Sequence, residues 1–109
     1  MKMSKMTEEA GRKIAEGVAT AYGLTVAELL DHSPRTAAMC QVRFIVYYLL
    51  TRVVRLSTPQ AGQICRRCHA TIIQGCRALQ NWMDTEPALK TEVTVWVERA
   101  KTMLEKEGL

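Results

Sequence analysis

The stretch STPQAGQICRRCHATIIQGCRALQNWM, residues 57–83, decides the fold. Ser57 or Thr58, followed by Pro59, is typical of the start of a helix, because a hydroxyl caps free backbone N–H groups and proline suits a first turn. The spacing predicts a short helix, a tight turn near the paired arginines, and a second helix over roughly 68–82. Two helices joined in this way form a candidate helix-turn-helix.

The second of these helices has two different faces when its residues are placed at intervals of about 100°. The face expected to point inward carries Cys68, Ile72, Gly75, Cys76, Leu79 and Met83. The outward face carries Ala70, Gln74, Arg77 and Asn81, with His69 and Thr71 at its borders. Amide side chains pair with adenine, arginine pairs with guanine, and small apolar groups can touch the thymine methyl. The outward face therefore has the chemistry of a base-reading helix.

The charge of the chain is segregated. Residues 32–83 contain no aspartate or glutamate and seven arginines, namely Arg35, Arg43, Arg52, Arg55, Arg66, Arg67 and Arg77. This window therefore carries +7 and the rest of the chain −3, within a formal net charge of +4. Such a block attracts a polyanion, and arginine grips phosphate and reads guanine better than lysine does. A solvated basic face without a partner is the alternative, but solvated faces usually mix both signs.

The remaining sequence predicts an all-α protein. Apolar residues recur at helical spacing, Thr25 and Glu28 form a capping box, and Thr85 is expected to cap the last helix. We therefore expect about six helices in a compact bundle, as one domain over residues 1–109, with residues 1–6 as a disordered tail. The other predicted helices span roughly 7–22, 25–32, 36–54 and 85–104.

Several classes of function are not supported by the sequence. The first residues lack the apolar run of a signal peptide, and no stretch approaches the ~20 apolar residues of a membrane span. We therefore expect a cytoplasmic protein whose four cysteines are thiols, with no membrane partner. No Ser-His-Asp set or carboxylate pair lies in the basic region, so no enzymatic activity is expected.

The residues Cys65-Arg66-Arg67-Cys68-His69 match the C-x-x-C-H attachment motif of c-type haem. Haem attachment requires export and would use the same residues that the helix-turn-helix needs. Zinc bound by Cys65, Cys68 and His69 with an outside ligand is a second alternative. Buried thiols explain Cys68 and Cys76 more simply, and we expect neither a cofactor nor a metal.

The chain resembles the C-terminal DNA-binding domain of the bacterial replication initiator DnaA, which has a Trp-repressor-like helix-turn-helix. The similarity extends from about Ile14 to Leu104. The segment VATAYGLTVAELLDHSPRTAAMCQVRFIVYYLL is similar to the family's entry helices and long central helix. STPQAG, residues 57–62, is similar to the first helix of its helix-turn-helix, and RRCHATI, residues 66–72, lies at its signature.

The resemblance implies particular roles for residues of this chain. Arg35 takes the place of the minor-groove arginine, and Arg43 and Pro59 take the places of residues that contact the DNA backbone. His69 and Thr71 take the places of base readers. Cys68 and Ala70 replace an aspartate and a threonine of the signature, so we expect a DNA core that differs from the family's usual box.

The sequence thus predicts a nucleoid-associated, sequence-selective module for double-stranded DNA that regulates replication or transcription. We expect a protein of bacterial or phage origin. No phosphate-binding loop occurs, so no ATPase activity is expected. Further candidate partners are a second copy of the chain and a replication initiator. A protein-interaction module that keeps the fold without base reading is the alternative function. The expected DNA-contacting residues are Arg35, Arg43, Pro59, Arg66, Arg67, His69, Ala70, Thr71, Gln74 and Arg77.

Overall fold

The computed structural model describes residues 3–31 and 36–108, and this part of the chain contains six α-helices and no strand. The expected all-α bundle is confirmed. The helices are α1 (Lys5–Ala21), α2 (Val26–Leu30), α3 (Ala37–Arg52), α4 (Thr58–Cys65), α5 (His69–Thr85) and α6 (Pro87–Lys106).

Short polar side chains fix where several helices begin. The Thr25 hydroxyl accepts a hydrogen bond from the Glu28 N–H while the Glu28 carboxylate accepts one from the Thr25 N–H, so the expected capping box is present. Ser57 and Gln60 form the same reciprocal pair at α4, and Thr36 caps α3. These bonds satisfy backbone donors that have no partner inside a helix.

Two expected boundaries are wrong. Residues 3–6 are not a disordered tail, because Ser4 caps α1 by accepting a hydrogen bond from the Thr7 N–H, and Met3 packs against the core. Thr85 does not cap the last helix: it is the final residue of α5, and its hydroxyl donates back to carbonyls within that helix. Helix α6 begins instead at Pro87. Proline is tolerated there because the N–H that it lacks would have no partner inside the helix.

Helix α3 is the central element of the core. Its Ile45, Leu49 and Leu50 are completely buried, and its contact with α5 is the most extensive between any two helices. Helix α5 crosses α3 at Gly75, where an added Cβ would lie 2.6 Å from the Tyr47 ring and 2.8 Å from the Phe44 ring. A glycine is therefore required for α5 to approach the two rings this closely.

Helices α1 and α6 close the opposite side of the bundle. The Tyr22 hydroxyl donates to the Glu92 carboxylate and accepts a hydrogen bond from the Trp96 indole N–H at 3.1 Å. Burial and the Glu92 carboxylate raise the pKa of Tyr22 to about 12, so the hydroxyl stays protonated and can donate. This polar contact joins α1 to α6 away from the arginine-rich window.

The positions of two cysteines are the reverse of those expected. Cys65, expected in the turn, is the last residue of α4 and is only 1% exposed. Cys68, expected on the buried stripe, precedes α5 and is exposed. Arg66 between them adopts left-handed backbone angles, φ 56° and ψ 46°, and this abrupt bend turns the two thiols in different directions.

Replacing each cysteine by serine, which exchanges one sulfur for oxygen, tests whether Cys65 is buried and Cys68 is exposed. Cys65→Ser should destabilise the fold by about 1–3 kcal/mol, because it places a hydroxyl among apolar side chains. The matched variant Cys68→Ser should not destabilise the fold, since this side chain is in solvent at the start of α5, where a serine hydroxyl can cap the helix. Urea unfolding measures both, and equal midpoints for the two variants would contradict the buried position of Cys65.

Candidate nucleic-acid interface

The turn of the helix-turn-helix is held by backbone contacts. Arg66 ends α4 in the left-handed region, and the N–H groups of Arg66 and Arg67 both donate to the Gly62 carbonyl oxygen. Gly62 is required because a Cβ at this position would overlap the carbonyl of Arg67. The turn therefore consists of residues 66–68 and fixes α5 relative to α4.

The outward face of α5 lies as the sequence predicts. Ala70, Gln74, Arg77 and Asn81 are all exposed, as is His69 at the first position of the helix. Thr71, expected at the border of this face, is half-buried. The first two turns of α5 thus present an imidazole, a small apolar group, an amide and a guanidinium to solvent.

Cys68 occupies the position immediately before α5. Its sulfur lies 3.2 Å from the Thr71 hydroxyl, and hydrogen bonds from Thr71 lower the pKa of the Cys68 thiol. The buried thiol of Cys65 behaves in the opposite way, since burial raises its pKa to about 12. With one thiol in the core and the other in solvent, these two cysteines do not face a common ligand.

Arg43, expected to contact the DNA backbone, is instead buried, with only 4% of its surface exposed. Its Nε donates to the Leu29 carbonyl oxygen at 2.8 Å, and its Nη2 donates to the carbonyl oxygens of Glu28 and Asp31. The guanidinium therefore satisfies the backbone at the end of α2, where helical carbonyls have no partner of their own. The expectation for Arg43 is wrong: it holds α2 against α3.

Arg67 reaches the same corner of the molecule from the turn. Its Nη2 donates to the Asp31 carbonyl oxygen at 3.2 Å, and its side chain is half-buried. Arg43 and Arg67 thus meet at a single backbone oxygen. This contact links the turn to the end of α2, so Arg67 has a structural role in addition to its charge.

Several arginines of the acid-free window, residues 32–83, are exposed to solvent. Arg52, Arg55, Arg66 and Arg77 are exposed. Ion pairs lie instead on α1 and α6, as in Lys13–Glu107 at 2.7 Å. Arg52 and Arg55 are not among the DNA-contacting residues that the sequence predicts. Arg35, which is among them, lies outside the described residues.

Two further kinds of feature, a metal site and a membrane-spanning helix, are not found in the described part of the chain. Within residues 3–31 and 36–108, no three His, Cys, Asp or Glu side chains are grouped as metal ligands. Of the helices that the structure describes, none combines the length and apolar character needed to cross a membrane.

Comparison with known proteins agrees with this geometry. Residues 12–79 match the family model described as the bacterial dnaA protein helix-turn-helix. The chain belongs to this DnaA helix-turn-helix family. Its fold also matches a crystal structure of a DNA replication initiation factor, with a TM-score of 0.81 over 90% of this chain and 22% identity. The chain covers 30% of the length of that protein.

Membership of the DnaA helix-turn-helix family implies binding to double-stranded DNA. The matched region contains α4, the turn and α5 as far as Leu79. The exposed residues of this region are therefore the candidate contacts.

The structural role of Arg43 predicts a loss of stability. Arg43→Ala should destabilise the fold by at least about 2 kcal/mol, because it leaves buried carbonyl oxygens without donors. Arg43→Lys should recover only part of this loss, since an ammonium lacks the planar fork that reaches several oxygens. Arg55→Ala, which removes an exposed charge of the same window, is the control, and urea unfolding is the measurement. A fully stable Arg43→Ala protein would contradict this role.

Proposed function

We propose that the protein binds double-stranded DNA sequence-selectively, with α5 in the major groove. The observation that carries the proposal is the exposed row Ala70, Gln74, Arg77 and Asn81, on a helix that the turn of residues 66–68 fixes. A helix about 10–12 Å across fits a groove about 12 Å wide, and its exposed side then meets the base edges. Of these side chains, Gln74 suits adenine.

The contacts around this row divide into two kinds. His69 and Thr71, at the start of α5, are proposed to reach base edges, as the first residues of recognition helices do. Pro59 in the first turn of α4 and the exposed Arg66 in the turn are proposed to lie against phosphates. Arg67 supports the turn and adds positive charge beside them.

The proposed role is regulation of replication or transcription in the nucleoid by occupying DNA sites, without ATP hydrolysis by this domain. The likeness to the replication initiation factor supports the fold, and family membership supports DNA as the partner. A second copy of the chain or an initiator protein remains a proposed further partner.

The second candidate is a protein-interaction module that keeps the fold without reading bases. The observation favouring it is at the tip of α5, where Cys68 gives the helix no side-chain cap and Ala70 presents only a methyl group. These two positions lack the polar groups of the family signature. Binding to DNA is the property that distinguishes the two candidates.

A salt titration tests the proposal. Affinity should fall by about 0.9 log units per log unit of salt for each phosphate contact. Arg66→Gly should reduce this slope by about one contact while keeping the fold, because glycine adopts left-handed angles freely. Arg99→Ala, on α6, should leave the slope unchanged. Fluorescence anisotropy on a random duplex and on a duplex selected from a random pool gives the affinity and the salt slope of each variant.

Each outcome of the titration has a clear meaning. A preference for one duplex core over another supports sequence selectivity. Salt-dependent but equal binding to all duplexes would contradict selectivity alone. Binding that stays weak and flat across salt concentrations would contradict the DNA function and favour the interaction module.

A further inference from the structure

Two clefts lie along α5. One, of about 360 Å³, is lined by Thr71, Gly75 and Ala78 of α5 with Arg43 and Arg67. The other, of about 390 Å³, is lined by Ile73, Cys76, Arg77 and Gln80 of α5, Thr51 and Arg52 of α3, and Thr58 of α4. We call the second the Arg52–Arg77 cleft. Each cleft brings together two arginines from different elements.

The two clefts lie on opposite sides of α5. Successive residues of a helix point in directions about 100° apart around its axis. By this measure, the mean direction of Thr71, Gly75 and Ala78 is about 180° from that of Ile73, Cys76 and Gln80. The exposed row of α5 lies midway between these two groups. When that row faces base edges, the sides of the helix face the two phosphate backbones that border the groove.

The arginines of the two clefts differ in their partners. In the first cleft, the guanidinium groups of Arg43 and Arg67 donate to backbone carbonyl oxygens. In the second cleft, Arg52 and Arg77 are exposed and have no hydrogen bond or ion pair within the described residues. Arg52 lies over the Tyr48 ring, with its guanidinium carbon 5.7 Å from the ring centroid. Two unpaired positive charges at one cleft favour an anion there.

We propose that the Arg52–Arg77 cleft binds a backbone phosphate of the DNA strand that borders α5 on this side. Arg52, on the central helix, is then a DNA-contacting residue together with Arg77, and the Thr58 hydroxyl is a further donor at the cleft. The footprint thus extends from the recognition helix to the end of α3. This inference rests on the proposed function, because it assigns a contact within the same DNA complex.

The variant Arg52→Ala tests the proposal, with Arg99→Ala as a matched control. Arg99 is also exposed and also lies over an aromatic ring, 5.1 Å from the Trp96 centroid, so both variants lose one charge and one ring contact. Arg52→Ala should weaken binding to specific and random duplexes alike by roughly tenfold at low salt. It should also lower the salt slope by about 0.9. Arg99→Ala should change neither quantity.

A methylphosphonate scan locates the contact on the DNA. The tightest duplex selected from a random pool is synthesised with one uncharged methylphosphonate at each backbone position in turn. For the wild-type protein, neutralising the phosphate at the cleft should weaken binding by a similar factor. The same substitution should have little further effect on Arg52→Ala, because the two changes remove one interaction.

The outcomes separate this inference from the function on which it rests. A wild-type protein that binds no duplex overturns both. Wild-type binding together with equal effects of Arg52→Ala and Arg99→Ala overturns the phosphate contact alone. Additive losses from Arg52→Ala and the methylphosphonate at every position also overturn it, because no phosphate would then be linked to Arg52.

Discussion

The close crossing of α5 over α3 at Gly75 is the constraint on which the rest of the molecule depends. Because the Phe44 and Tyr47 rings lie where a Cβ would project, α5 can approach α3 this closely only with a glycine at this position. The Trp82 ring then stacks on Phe44, with centroids 5.6 Å apart. With its inner side fixed in this way, α5 presents one row of residues outward.

A second constraint is the buried guanidinium of Arg43. Buried backbone carbonyls that lack partners are costly, and this side chain supplies donors for three of them at the end of α2. Arg67 binds one of the same oxygens from the turn. The basic window is therefore not uniform: some of its arginines stabilise the fold, and others are left to face a partner.

The sequence was sufficient to predict the helices, the capping box at Thr25, a hydroxyl cap at Ser57 or Thr58, and the exposed row of α5. These features depend on local hydrogen bonds and on helical periodicity, which a sequence displays directly. The contact residues themselves stay proposals, and Arg35 lies outside the described residues.

Other features depend on contacts that a sequence does not display. The left-handed bend at Arg66 turns Cys65 inward and Cys68 outward, against the expectation from periodicity. The burial of Arg43 depends on carbonyls 12 to 15 residues away in the chain. The proposed phosphate contact of Arg52 rests on its nearness to Arg77, which lies on another helix. Each error comes from tertiary structure, and local pattern reasoning cannot correct it.

The most direct measurement of the central claim is amide chemical-shift mapping of the isotopically labelled protein during titration with a duplex selected from a random pool. We expect the largest changes in the start of α4, in residues 66–68, along the exposed row of α5 and at Arg52. Helix α6 and the outer face of α1, where the ion pairs lie, should change little. Chemical-shift changes concentrated on α1 and α6, with α5 unaffected, would contradict the assignment of the exposed row of α5 and its surroundings as the DNA-binding surface.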